Sequence, residues 1–167
     1  RRDWSSDVCS SDLMTMTIIA TSTEYEQLIK QSKDATLFGT SIGLLHWDQE
    51  VMMPKKGVEY RADQIALASR MLHEMVTDKR IGDWLSACEA DDDLMSDPTS
   101  AMFANIRELR HSYDRATKLP SSLVEEEAML SSRGQHSWKE ARENNEFSEF
   151  QPWLEKIVED RKSVGQG

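Results

Sequence analysis

The stretch DPTSAMFANIRELRHSYDRATKLP, residues 97–120, shows most clearly how this chain folds. Its apolar side chains recur at steps of three or four residues, at Met102, Ile106, Leu109, Tyr113 and Ala116. Such spacing places them on one face of an α-helix. We expect Asp97 to cap this helix, with Pro98 at its first position, and Pro120 to end it. The stretch therefore predicts an amphipathic helix with one buried side.

The same helical period continues on both sides of this stretch. Apolar stripes run through Tyr25, Leu28, Ile29, Ala35, Phe38, Ile42 and Leu45, through Val58, Ala62, Ile65, Ser69, Leu72 and Val76, through Ile81, Leu85 and Cys88, through Val124, Ala128, Trp138 and Ala141, and through Phe147, Phe150, Leu154, Ile157 and Val158. No segment alternates apolar and polar residues for long enough to be a strand. The sequence therefore predicts an all-α fold, an antiparallel helical array with short connections.

Residues typical of helix ends separate the stripes. Thr23-x-x-Glu26 has the spacing of a capping box, in which the two side chains satisfy free amides at a helix start. Pro54 should follow the end of the first helix, because its ring disfavours helical geometry in the preceding residue. Ser121 or the serine after it can cap the fifth helix, whose apolar pattern weakens around Gly134.

The length and the net charge of the chain exclude some classes of function. The chain has 167 residues and a mass of 19.1 kDa, typical of one domain or of a piece of a larger one. Lys and Arg total 20 against 30 for Asp and Glu, which gives a net charge of −10. Phosphate backbones and anionic lipids repel such a polyanion, so we expect neither nucleic acid nor a membrane surface as its main partner. The apolar runs are only a few residues long, and they predict no membrane span.

The two ends of the sequence differ from the rest. Residues 1–13 have neither helical nor strand periodicity and resemble translated sequencing-adapter read-through, and residues 161–167 look similar. We interpret both as non-native tails. We expect residues 1–13, including Trp4, to lack fixed tertiary contacts, and the helical pattern to break at Arg161. Residues 14–160 are then the native helical region of a longer protein.

The two cysteines, Cys9 and Cys88, form neither a disulfide framework nor a Cys-x-x-Cys motif. We interpret them as free thiols in a reducing compartment.

Two motifs invite a metal-site interpretation. His73-Glu74 begins like a zinc-peptidase helix, but Thr77 stands where the second His would be, so we interpret it as an exposed helix-end pair. Glu108-x-x-His111 has the spacing found in di-iron bundles, but it occurs once and points away from the apolar stripe. We therefore assign no catalytic, cofactor-binding or metal-binding residue, and we expect the chain not to bind zinc tightly.

A longer motif lies where the first two helices meet. Leu44-Leu45-His46-Trp47-Asp48-Gln49-Glu50-Val51-Met52-Met53-Pro54 is followed by Gly57 and by Tyr60-Arg61-Ala62-Asp63-Gln64-Ile65. This segment resembles the N-terminal motif of the carboxypeptidase Taq family of metallocarboxypeptidases. A second block, from Arg107-Glu108 through Lys118-Leu119-Pro120 to Ile157-Val158, is similar to that family in order and spacing. The resemblance covers about residues 20–160.

The resemblance implies a larger, mainly helical cytoplasmic enzyme, a homodimer, that removes single residues from the C-termini of peptides. It also implies a divalent metal, zinc or cobalt, held by a His-Glu-x-x-His helix that this sequence does not contain. Such a metal polarises the scissile carbonyl while the motif Glu relays a proton. The resemblance thus implies that this chain is an N-terminal fragment that binds no metal and is inactive by itself.

Five residues of the motif, Trp47, Asp48, Met53, Pro54 and Arg61, match family positions. We interpret them as fixing the first interhelical turn rather than touching substrate, with Asp48 and Arg61 forming a partly buried pair. The competing hypothesis is a stand-alone helical protein-interaction module without catalysis, favoured by the lack of a complete active site.

The family resemblance also predicts exposed apolar surface on the isolated chain. The apolar stripes should face helices that this chain lacks, above all the stripe with Phe147, Phe150, Trp153 and Leu154. Exposed apolar patches larger than a few hundred Å² promote association. We therefore expect the isolated chain to self-associate or to be marginally stable.

Overall fold

The structure, a computed structural model, describes residues 22–164. These residues form α1 Thr23–Val51, α2 Val58–Val76, α3 Lys79–Glu89, α4 Asp92–Met95, α5 Ala101–Ala116, α6 Ser121–Asn144 and α7 Gln151–Val164. Single 3₁₀ turns, Lys55–Gly57 and Phe147–Glu149, lie between α1 and α2 and between α6 and α7. No strand occurs in the described residues, and the all-α prediction is confirmed.

One core forms where the first half of α1 packs on α3, α4 and α5. Its buried members are Leu28, Ile81, Leu85, Cys88, Leu94 and Ile106. Met102, Leu109 and Tyr113 pack against this cluster, so the stripe in residues 97–120 faces the core as predicted. Each fully buried aliphatic side chain stabilises the fold by about 1.5–3 kcal/mol relative to an exposed one.

A second packed region has α6 between α2 and α7. The buried side of α2 includes Ala62, Ile65 and Ala66. Gly134, where the apolar pattern weakens, lies buried in the middle of α6, which continues through it without a break. A Cβ built on Gly134 would lie 3.1 Å from Cδ1 of Ile157 in α7. The missing side chain therefore marks a close contact between helices rather than a weak point.

Two helix starts lie one residue away from the predicted caps. Ser22, not Thr23, caps α1: its hydroxyl accepts a hydrogen bond from the backbone N–H of Tyr25 at 3.3 Å. At α6, Pro120 occupies the N-cap position without a side-chain hydrogen bond, and Ser121 is already inside the helix. Neighbouring residues of similar capping ability make such one-residue shifts difficult to predict.

The start of α5 also differs from the prediction. Ser100 caps this helix by accepting from the N–H of Phe103 at 3.1 Å. Asp97 instead closes a turn before the helix, where its carboxylate accepts from the N–H and the hydroxyl of Thr99 at 2.9 and 2.6 Å. Asp97 and Pro98 therefore precede α5 rather than begin it.

The last helix does not break at Arg161. It continues to Val164, and Arg161 forms an ion pair with Glu127 of α6 at 2.5 Å. The expectation of a break at this residue is wrong, because α7 has a partner along α6. The expectation for residues 1–13 lies outside the described residues.

Candidate functional site

The motif that carries the family resemblance builds the turn between α1 and α2. The N–H groups of Met52 and Met53 both donate to the carbonyl of Asp48 at 2.9 Å, which ends α1. Pro54 is extended and leads into the 3₁₀ turn. A Cβ on Gly57 would lie 3.3 Å from Cγ of Met53, so the glycine lets the Met53 side chain lie against the start of α2. The spacing of Met, Pro and Gly thus has a geometric cause.

Arg61 joins the two helices across this turn. Its Nη2 lies 2.6 Å from Oδ2 of Asp48, its Nη1 donates to the carbonyl of Leu45 at 2.8 Å, and its Nε donates to Oε1 of Gln64 at 3.0 Å. The Arg61 side chain is 15% exposed and that of Asp48 is 37% exposed. This is the partly buried pair that the sequence predicted. Because Asp48, Leu45 and Gln64 occupy the guanidinium, its contacts are those of a residue that holds the turn.

Trp47 does not behave like its neighbours in the motif. Its side chain is 59% exposed. The expectation that Trp47 fixes the turn is not met, because a side chain exposed to this degree contributes little packing there.

Two polar contacts attach the end of α1 to α6. The buried Ser132 donates its hydroxyl hydrogen to Oε1 of Gln49 at 2.5 Å. Lys139, two turns further along α6, forms an ion pair with Glu50. Sequence reasoning missed both contacts. One sequence feature could have indicated the Ser132 contact. Ser132 follows Ala128 by four residues and so lies on the apolar stripe of this helix, where a buried polar side chain needs a hydrogen-bond partner.

His73 contradicts its interpretation as part of an exposed pair. It is buried, and its Nε2 lies 2.8 Å from the carbonyl oxygen of Leu119. That nitrogen therefore carries a proton and donates it to the turn between α5 and α6. Glu74 is exposed as expected and forms an ion pair with Arg70 at 2.7 Å. The pair divides into a structural histidine and a surface carboxylate.

The second motif lies where it was predicted. Glu108 and His111 are both exposed, whereas Ile106 on the other side of α5 is buried. Within residues 22–164 no group of three or more His, Cys, Asp or Glu side chains is placed to hold a metal ion. The donor set of these residues does not fit the divalent metal that the family resemblance implies.

Cys88 is the described residue closest in chemistry to a nucleophile. Burial in the first core raises the pKa of its thiol, and a hydrogen bond with Ser22 offsets this only in part. A thiol attacks as its thiolate, which this environment disfavours. Cys88 is therefore a core residue.

The cavity nearest this core is apolar. It measures about 230 Å³, lies among α1, α2, α3 and α5, and is lined by residues that include Leu28, Met75, Ile81, Leu109 and Tyr113. No charged side chain lines it. Its polar lining is limited to Ser32, Ser112 and Tyr113, so it offers no carboxylate, imidazole or thiol for catalysis.

The described residues therefore define a class of protein, an all-helical scaffold in which the sequence motif between α1 and α2 has a structural role. The chain belongs to the carboxypeptidase Taq (M32) metallopeptidase family, whose model matches residues 27–166. It is 38% identical over 133 residues to thermostable carboxypeptidase 1 of Thermus thermophilus, which covers 80% of this chain and 26% of that protein. It is 30% identical over 126 residues to carboxypeptidase 1 of Bacillus subtilis, covering 75% and 24%.

Solved structures agree with this assignment. The crystal structure of BsuCP superposes with a TM-score of 0.78 at 26% identity, over 86% of this chain and 28% of that one. Metallocarboxypeptidase 1 of Trypanosoma cruzi gives a TM-score of 0.63 at 26% identity, again over 86% and 28%. This chain therefore spans about a quarter of the length of the relatives that it matches.

Proposed function

We propose that this chain is the N-terminal helical region of a metal-dependent carboxypeptidase that releases C-terminal residues from peptides. The observation that carries the proposal is the family match over residues 27–166 at about a quarter of the relatives' length. The Asp48 and Arg61 pair supports it, since the motif residues hold together the turn that the family motif encodes. In this role α1 to α7 supply scaffold, and the metal chemistry belongs to polypeptide beyond the described residues.

The proposed protein uses a divalent metal, zinc or cobalt, and acts as a homodimer in the cytoplasm. Cys88 supports the last point, because it is a buried free thiol of the kind that persists in a reducing compartment. No described helix is long and apolar enough to cross a membrane.

The first experiment measures metal and activity in the purified chain. We expect no stoichiometric zinc after dialysis and no release of C-terminal residues from a dipeptide with a free C-terminus, with or without added cobalt. The T. thermophilus carboxypeptidase, assayed in parallel, is the positive control. Metal-dependent release of C-terminal residues by this chain would contradict the proposal that the metal site lies beyond the described residues. Zinc that survives dialysis in a 1:1 ratio with the chain would contradict it as well.

The second experiment determines the gene sequence beyond the codon for Asp160. We expect coding sequence to continue past Asp160 for several hundred residues and to contain His-Glu-x-x-His. A stop codon instead would refute the enzyme proposal and favour the alternative, a stand-alone helical interaction module. The observation that favours this alternative is the exposure of large apolar side chains on α1 and α2, among them Leu44, Trp47 and Leu67.

A further inference from the structure

A cleft of about 340 Å³ lies between α6 and α7. We call it the α6–α7 cleft. Its lining residues follow one another at steps of three, one and three on α6 and at steps of three, three and one on α7, so each helix contributes one face. They are Glu126, Met129, Leu130 and Arg133 on α6, and Trp153, Lys156, Glu159 and Asp160 on α7. Unlike the apolar cavity beside the first core, this cleft has charged side chains of both signs.

The two helices run antiparallel, and two contacts fix their alignment. A Cβ built on Gly134 would lie 3.7 Å from Cβ of Trp153. Towards the other end of the cleft, Arg161 pairs with Glu127 at 2.5 Å. Arg133, which precedes Gly134, therefore lies at the Trp153 end of the cleft.

The charges are separated along the cleft. Nζ of Lys156 lies 5.2 Å from the centroid of the Trp153 ring, so this ammonium group joins Arg133 at one end. The positions of Lys156 and Asp160 on α7 differ by about 6 Å along the helix axis, and those of Arg133 and Glu126 on α6 by about 10 Å. The cleft thus has a basic end, and an acidic end formed by Glu126, Glu159 and Asp160.

Arg133 has a donor group that no described residue uses. Its Nη2 lies 2.6 Å from a carboxylate oxygen of Glu59 and 3.3 Å from one of Asp63, and both acids belong to α2. Its Nε is buried and donates to no atom of the described residues. Buried N–H groups in native proteins nearly always have an acceptor. The guanidinium is therefore held in place by α2, and an oxygen of a bound molecule would satisfy its Nε–H.

Other charged side chains of the cleft are also available to a ligand. Within residues 22–164, neither Glu126 nor Lys156 nor Glu159 forms an ion pair. Glu127 and Lys139, which lie on α6 outside the cleft, are both in ion pairs. The cleft therefore presents a basic and an acidic end that can each bind an opposite charge.

The separation of the two ends determines the length of a suitable ligand. In a free α-amino acid only two bonds separate the ammonium nitrogen from the carboxylate carbon, a distance of about 2.5 Å. Each further extended residue adds about 3.3–3.6 Å, so a dipeptide or a tripeptide separates its charged termini by about 6–10 Å. That range matches the separation between the ends of the cleft, and a free amino acid is too short.

We propose that the α6–α7 cleft binds a dipeptide or tripeptide with two free termini. The α-carboxylate of the peptide lies at the basic end, and its α-ammonium group lies at the acidic end. Met129, Leu130 and the ring of Trp153 form the apolar wall against which its side chains pack. The site binds without cleaving, so this inference does not depend on the proposed function.

The experiment titrates the ¹⁵N-labelled chain with glycyl-leucine and follows the indole N–H resonance of Trp153, which Trp153→Phe identifies. We expect a saturable shift with a dissociation constant of about 1 mM, ordinary for a ligand of this size. N-acetyl-glycyl-leucine lacks the ammonium group, glycyl-leucinamide lacks the carboxylate, and free leucine has both charges too close together. Each of these three should bind at least about tenfold more weakly.

Substitutions at the two ends test which charge binds where. Lys156→Gln should weaken glycyl-leucine about 3–10-fold and leave glycyl-leucinamide unchanged, because only the carboxylate contacts this end. Glu126→Gln should weaken glycyl-leucine by a similar factor and leave N-acetyl-glycyl-leucine unchanged. Both side chains are exposed, so the fold tolerates either change. Lys162→Gln, on α7 but outside the cleft, is the matched control and should alter none of these values.

Melting provides a second measurement. At ten times its dissociation constant, glycyl-leucine should raise the melting temperature by about 3–6 °C, and the two blocked analogues should raise it by less than about 1 °C. Lys156→Gln should reduce the rise, whereas Lys162→Gln should not.

Three results would overturn the proposal. One is the absence of both a Trp153 shift and a rise in melting temperature at ten times the expected dissociation constant. Another is equal binding of glycyl-leucine and glycyl-leucinamide, which would mean that the basic end recognises no carboxylate. The third is saturable binding of calcium chloride that displaces glycyl-leucine, which would assign the acidic end to a cation.

Discussion

The two sides of the α1–α2 hairpin differ in how they meet their neighbours. At the turn, the polar atoms of Arg61 and Asp48 find partners within the hairpin, and Gln49 and Glu50 reach α6. Elsewhere on the same two helices, by contrast, large apolar side chains such as Leu44 and Leu67 are exposed. The contrast teaches that one motif contains two kinds of residue: polar side chains that hold the turn together, and apolar side chains such as Leu44 and Trp47 that take no part in it and are exposed.

The largest expected effect tests whether the inner side of α2 alone supports the chain. Ile65 is fully buried, and Ile65→Ala should lower the free energy of unfolding by about 2–5 kcal/mol through lost burial and a residual cavity. Leu67→Ala, two residues away and exposed, should change it by less than about 0.5 kcal/mol. Urea unfolding of both variants measures the difference, and similar losses would show that Leu67 is also buried in the isolated chain.

A smaller effect tests the turn. Arg61→Gln should lower the free energy of unfolding by about 1–2 kcal/mol, because it breaks the ion pair with Asp48 and removes the side-chain hydrogen bond to the Leu45 carbonyl. Solvent reaches Asp48, which keeps the value below that of a fully buried pair. Lys55→Gln removes a fully surface-exposed pair with Glu143 and should have no measurable effect. Equal behaviour of the two variants would contradict a structural role for Arg61.

The cap of α3 shows what one polar contact contributes away from the turn. Asp78 accepts hydrogen bonds from the side chain and backbone of Arg80, which lower the pKa of its carboxyl below the ordinary 3.8. The carboxylate therefore stabilises the fold above about pH 4, and this contribution is lost as the pH falls through the lowered pKa. Asp78→Ala should cost about 1 kcal/mol at pH 7 and less at pH 2. A difference that does not depend on pH would exclude the charge as its source.

The smallest effect concerns Gly43. Gly43→Ala should raise the free energy of unfolding of the isolated chain by about 0.5–1 kcal/mol, since the new methyl group meets no atom within 4 Å. Gly82→Ala is the comparison, because its Cβ would lie 2.8 Å from the Tyr113 hydroxyl oxygen, and it should gain less. Thermal unfolding followed by circular dichroism measures both. A loss of stability in Gly43→Ala would mean that this side of α1 is already packed.

Helical periodicity predicted the main helices because each buries one stripe, and that pattern is local. Helix starts were harder to predict, since Ser22 and Thr23, or Asp97 and Ser100, are all good caps and the surrounding packing selects one. The burial of His73 depends on a carbonyl 46 residues away in the sequence. Periodicity contains no information about such a partner.

The candidate site followed the same rule. The contact between Asp48 and Arg61 was predictable because Pro54 and Gly57 mark a tight turn between them. The contact between Gln49 and Ser132 was not, because 83 residues separate them. The exposure of Leu44 and Leu67 was also not predictable, since an apolar residue in a sequence does not reveal which neighbour covers it.

The buried thiol of Cys88 can serve as a chemical probe of local unfolding. Its thiol is fully buried and its pKa is raised by that burial, so alkylating reagents reach a reactive thiolate only when α3 moves away from α1 and α5. The labelling rate of Cys88 under native conditions therefore reports how often this part of the molecule opens, in the manner of amide hydrogen exchange. A thiol without chemistry in the folded state thus becomes a probe of transient unfolding.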